Sequence, residues 1–189
     1  MQLRKPKTGL FLVVALLLAP QAFTTSVLQM NLNQLTANAD SVFRGTVVEL
    51  NETTVQDGLG EQPALHYKVR VDELFKGSVT TVMGVRIAEF RVLGNAKQMN
   101  AGRVLPGFPV MKVGEEYLLF VAPAGPVGLT QMMGLAQGCF TFSGHSGTET
   151  VVNGFDNVGL FKDMAGSYAA SGPVAYSNVA DLIRAKLGN

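Results

Sequence analysis

The chain has 189 residues, with 15 Lys and Arg against 14 Asp and Glu, 47% apolar side chains and one cysteine. That length is enough for one domain with a sizeable core, and the near-neutral charge excludes the basic footprint of a nucleic-acid binder. The lone cysteine, Cys139, excludes an internal disulfide, a thiolate zinc cluster and a CxxC redox pair.

Residues 1–22 stand apart. Arg4, Lys5 and Lys7 precede the apolar run Leu10 to Ala19, and Pro20-Gln21-Ala22 closes it, the layout of a secretory signal peptide. The run is much shorter than the roughly 20 residues of a spanning helix, so the expectation is an exported protein with no integral membrane segment. All three charges before residue 23 are basic, which leaves 12 basic against 14 acidic side chains in the remainder. Small exported eukaryotic domains more often carry several disulfides, so the expected compartment is a bacterial periplasm or exterior.

Leu28, Leu32, Leu35 and Ala39 fall at helical spacing, and Asn31 and Gln34 stand three apart like a capping pair, predicting a short first helix. SVFRGTVVEL (Ser41 to Leu50) reads as a strand bent at Gly45. Gln56-Asp57-Gly58-Leu59-Gly60 marks the tip of a long hairpin. The chain returns as YKVRVDELFKG (Tyr67 to Gly77), with Tyr67, Val69 and Val71 predicted inward and Lys68, Arg70 and Asp72 on solvent. The alternation slips at Glu73, where Leu74 and Phe75 follow side by side, and Lys76-Gly77 reads as a turn.

A third strand is predicted from Thr80 to Val92, alternating around Val82, Val85 and Ile87, followed by a Gly- and Pro-punctuated loop over 93–114. Glu116 to Val121 is nearly all apolar, as in a strand covered on both faces. Thr130 to Met133 and Cys139 to Phe142 are further strands, with a hairpin partner at Thr148 to Phe155. Ser177 to Leu187 carries the stripe Val179, Leu182, Ile183 and Leu187 ahead of Gly188, a final helix. Strands at short spacing between two helices, without strand–helix alternation, predict a mainly β fold. The economical form is a small closed Greek-key, OB-like barrel with a short N-terminal and a C-terminal helix.

The candidate chemistry is thin. Lys76-Gly77 lacks the glycines of a phosphate loop, and Gly134 to Gly138 lacks the third glycine of a dinucleotide fingerprint. Gly144-His145-Ser146-Gly147-Thr148 comes near GxSxG, but Thr148 replaces the last glycine and no helical elbow follows. His66 and His145 are the only histidines, and their spacing indicates no metal site. Glu115 and Glu116 fall on opposite faces of a strand, which does not pair an acid with a base. The expectation is no catalytic residue, no metal and no cofactor.

Three stretches in register, ANADSVFRGTVVE (Ala37 to Glu49), YKVRVDELFKG (Tyr67 to Gly77) and VGEEYLLFV (Val113 to Val121), resemble the netrin-like OB domain at the N-terminus of the tissue inhibitors of metalloproteinases. The resemblance covers about residues 25–142 and, with GLAQGCF (Gly134 to Phe140), looks like an exported bacterial relative. It implies a module that binds another protein, with a secreted metalloprotease as the suggested partner. The family's edge regions correspond to the segment Thr25, Ser26, Val27, Leu28 and Gln29, and to the hairpin tip with Asp57, Gly58 and Leu59. In that family a first-residue cysteine chelates the protease zinc, and disulfides pin it to the barrel. No residue from Phe23 to Val27 is cysteine.

The expected organisation is a signal peptide at 1–22, a netrin-like OB barrel at 23–142, and a hairpin and helix packed on it at 143–189. The alternatives are an envelope structural or assembly protein on the same barrel, and a serine hydrolase at Gly144 to Thr148.

Overall fold

Helix α1 (Leu32–Asn38) begins where the sequence puts its cap. The Asn31 side chain accepts from the Gln34 N–H and the Gln34 side chain accepts from the Asn31 N–H, both at 2.9 Å, satisfying two otherwise orphaned donors. The computed structural model describes residues 28–95, 97 and 107–188. The expected signal peptide and Thr25 to Val27 lie outside the described residues.

Strands β1 (Ser41–Asp57) and β2 (Gly60–Lys76) form one antiparallel ribbon. Its register shifts between Val42 and Phe43, between Arg44 and Gly45, and between Val47 and Glu49. Gly45 sits at one of these bulges because a Cβ there would lie 2.3 Å from the Arg70 carbonyl oxygen. Tyr67, Val69 and Val71 are buried as predicted. The slip is a bulge at Asp72, since Gly45 pairs with Val71 and Arg44 with Glu73, so Leu74 instead of Glu73 joins the core of Tyr67, Val69 and Val71, and Phe75 joins the other.

The predicted third strand is two. β3 (Thr80–Val82) and β4 (Val85–Leu93) make a hairpin around Met83 and Gly84, both at positive φ (49° and 80°), the conformation of a two-residue primed turn. Methionine is not a turn residue, so the sequence concealed the break. The alternation expected around Val82, Val85 and Ile87 does not mark the core face: Ala88 and Phe90 are buried, while Val82 and Val85 are exposed.

β5 (Glu116–Val121) pairs with β1 over Ser41 to Thr46 and with β7 (Cys139–Ser143). β6 (Leu129–Thr130) lies parallel to β4, and a 3-10 turn covers Leu135–Gly138. β8 (Thr150–Asn153) and β9 (Val174–Ala175) extend the sheet, and helix α2 (Tyr176–Leu187) follows. Among the described residues the result is mainly β, one nine-stranded sheet flanked by α1 and α2, in the order β3-β4-β2-β1-β5-β7-β8-β9 with β6 on β4. That path runs open from β3 to β9, so the expected closed cylinder is not formed by the strand ladder itself.

The sheet buries both faces. Leu118 and Phe120 pack with Leu35, Phe140, Val179 and Ile183 under the helices. Tyr117, Leu119 and Val121 pack with Phe43, Tyr67, Phe90 and Met132 on the other side. β5 is thus covered twice, as its apolar run predicts. The helix-side core takes Val151, Leu160 and Tyr176 from the region after residue 142, so that region completes the core. Lys76, expected in a turn, is the last residue of β2 and also caps α1. Its Nζ donates to the carbonyls of Thr36, Ala37 and Ala39 at 3.1, 3.0 and 2.5 Å, the favoured place for a cation at a helix C-terminus.

Candidate functional site

The segment Leu28 to Asn31 leads into α1, with Asn31 extended, between two parts of the chain that hold it by hydrogen bonds. On one side is Gln137, buried in the 3-10 turn. Its Oε1 accepts from the Met30 N–H at 2.8 Å, and its Nε2 donates to the carbonyls of Leu28 at 2.9 Å and Gly134 at 3.2 Å. One side-chain amide thereby serves the segment as a neighbouring strand would. On the other side is the loop after β8. Gln29 Nε2 donates to Val158 O at 2.9 Å, Leu32 N–H to Leu160 O at 2.8 Å, and Asn31 Nδ2 to Lys162 O at 2.9 Å. Gly159 leaves room for Gln29, since a Cβ at Gly159 would lie 2.1 Å from Gln29 Nε2.

Behind this clamp lie two buried asparagines. Asn153 and Asn157 each accept the other's N–H at 2.9 Å. Asn153 Nδ2 reaches the Gln137 carbonyl at 3.1 Å, and Asn157 Nδ2 reaches Val151 O at 2.9 Å and Gly172 O at 2.8 Å. Among the described residues no buried side-chain polar atom lacks a partner. A satisfied polar network fixes one geometry, because every partly bonded alternative leaves a buried group unpaired. The clamp therefore gives a defined shape to an exposed ledge. Leu28 is 81% exposed, and Phe155 and Val158 are exposed on the adjoining loop.

The hairpin tip is different. Asp57 pairs with Gly60, and its Oδ1 accepts from the Leu59 N–H at 2.7 Å. Gly58 is exposed and Leu59 is 91% exposed. β5 accompanies β1 only as far as Thr46, so the ribbon runs on past it. At about 3.3 Å per residue, Asp57 lies roughly 50 Å of strand from Val42, near the start of β1. Of the expected contact residues, Leu28 and Gln29 stand in the ledge and Asp57, Gly58 and Leu59 at the remote tip. The two surfaces do not merge.

The other candidates disperse. His145 and Ser146 occupy the exposed β7–β8 turn, where Thr148 N–H bonds to His145 O at 2.9 Å; among the described residues neither side chain has a hydrogen bond. His66 sits on β2, 3.2 Å from Glu89. Among the described residues no group of three His, Cys, Asp or Glu is placed to hold a metal. Cys139 is buried, and burial pushes its thiol up to about 12. No helix among the described residues is long and apolar enough to cross a membrane.

One charged cluster escaped the sequence reading. Arg44 bonds Glu116 at 2.6 Å and Glu149 at 3.0 Å, with its guanidinium over the rings of Phe142 and Tyr176. Burial opposes its charge, but the two carboxylates outweigh burial and raise its pKa. The hydrogen bond from Arg44 holds the Glu149 carboxyl below its usual range. Tyr176 donates to Glu73 at 2.6 Å, and Arg184 bonds Glu73 at 2.5 Å, fixing α2 to β2. Every member has a partner, so the cluster is a joint between helix and sheet. The chain matches no protein-family model and no curated protein.

Proposed function

We propose that this chain is an exported, non-enzymatic protein-binding module with a netrin-like OB barrel, and that it modulates a secreted metalloprotease. The observation that carries the reading is the clamp of Gln137, Asn153 and Asn157, which holds Leu28 to Met30 in one shape while Leu28 points to solvent. Pre-organising an exposed segment lowers the ordering cost of binding. The barrel part of the reading draws support from residues 129–133. β6 lies against β4, while Ala122 N–H bonds Gln131 O at 2.9 Å and Met133 N–H bonds Phe120 O at 2.7 Å, so this short run spans from β4 to β5.

The test is titration of the secreted, processed protein against zinc proteases from its own source. Inhibition or binding at roughly micromolar concentration or tighter, weakened by Leu28→Asp, is the expected result. No inhibition and no binding would remove the metalloprotease. The projecting hairpin with Leu59 at its tip favours a second reading, an envelope assembly protein. Stable co-purification with a cell-surface complex, lost on Leu59→Asp but retained by Leu28→Asp, would establish that alternative.

A further inference from the structure

The outer edge of β4 is covered at both ends and open in the middle. β3 pairs with it at Val85 to Ile87 and β6 at Arg91 and Val92. Val82 and Val85 flank a two-residue turn and so exchange both backbone bonds, after which every second residue of β4 turns its N–H and C=O to this edge. Ile87 lies opposite Thr80 and Arg91 opposite Leu129. Glu89, between them, has no backbone partner on that side among the described residues. Its carboxylate is engaged on the outer face, 3.2 Å from His66.

A groove of about 520 Å³ lies along this gap, within the range of ligand sites. Phe43, Ala88, Phe90 and Val121 contribute apolar lining, and Asp40, Ser78 and Thr80 contribute polar groups. Among the described residues the Asp40 carboxylate has no hydrogen bond or ion pair, and no cationic side chain lines the groove. On the opposite wall the backbone is already used: Val121 O accepts from the Asp40 N–H, and Ala122 N–H donates to Gln131 O.

We propose that this gap receives an extended strand from a partner protein, bonded to the Glu89 N–H and C=O, with a Lys or Arg reaching Asp40. Strand addition at an open edge draws affinity from main-chain bonds and specificity from alternate side chains. The unpaired Glu89 backbone sets the mode, and the single uncompensated carboxylate sets the charge. This surface is separate from the ledge at Leu28 and does not depend on it.

The test is an NMR titration of the full chain with a blocked seven-residue peptide alternating threonine and valine around a central lysine. Two controls are the same peptide N-methylated at alternate residues and its central-glutamate counterpart. Expected is saturable binding, with shifts confined to Asp40, Ser78 to Thr80 and Ala88 to Phe90, and affinity at least about tenfold weaker for both controls. Glu89→Pro, at an edge position that tolerates proline, should weaken binding by a similar factor, and Asp40→Asn should abolish the preference for lysine. Thr80→Trp, at an exposed position, should block the groove without disturbing the core. Absence of saturable binding, equal binding of the N-methylated peptide, or shifts located elsewhere would overturn the proposal. Concentration-dependent self-association with shifts in this groove would instead assign it to a second copy of the chain.

Discussion

The ledge at Leu28 to Met30 is tied to the body by bonds that trace back to three buried amides, whereas the tip at Asp57 to Leu59 rests on its own two strands and a bond from the Leu59 N–H to Asp57. Both present a leucine to solvent. The ledge holds its shape through groups far apart in sequence, and the tip holds its own through neighbours. A substitution in the polar spine should therefore loosen the ledge and spare the tip, and a substitution at the tip should leave the ledge and the overall stability unchanged.

The largest break is expected at Asn157. Replacing it with alanine removes the partner of Val151 O, Gly172 O and the Asn153 N–H at a residue held at φ 55°. Leaving buried groups unpaired costs about 1–3 kcal/mol each, and partial relaxation brings the expected loss to about 3 kcal/mol in urea unfolding. Gln137→Ala should cost about 2 kcal/mol by the same argument, with faster proteolysis before α1 and no change at the hairpin tip.

The Arg44 cluster gives a smaller, pH-dependent effect. Glu149 has a folded pKa below its ordinary 4.5 through its bond to Arg44. Its contribution is therefore present above that ordinary value and is lost as pH falls through the lowered one. Thermal unfolding should show an acid limb below about pH 4.5 that is shallower in Arg44→Met. The smallest effect belongs to Leu59→Ser, expected within about 0.5 kcal/mol of wild type because the side chain is almost wholly exposed.

The same contrast explains what the sequence revealed. Features set by near neighbours were legible: the Asn31–Gln34 cap, the stripe of α2, the Asp57-Gly58 tip, the bend at Gly45 and the slip at Leu74-Phe75. Met83-Gly84 escaped because its primed turn carries a methionine where glycine, asparagine or aspartate is expected. The clamp escaped for a different reason. Gln137 bonds Met30 across a separation of 107 residues and Asn153 bonds Gln137 across 16, and no periodicity marks a side chain whose partners are set by tertiary packing. Lys76 was likewise visible as a turn but not as the cap of a helix 37 to 40 residues earlier.

Native-state hydrogen exchange at the Met30 amide tests the central claim most directly. If Gln137 holds the segment, this amide should exchange only through a substantial opening, on the order of a hundredfold slower than the Leu59 amide, and Gln137→Ala should bring the two rates together. A Met30 amide that exchanges as fast as Leu59 in the wild-type protein would show that the ledge is not held, and the binding surface built on it would fall.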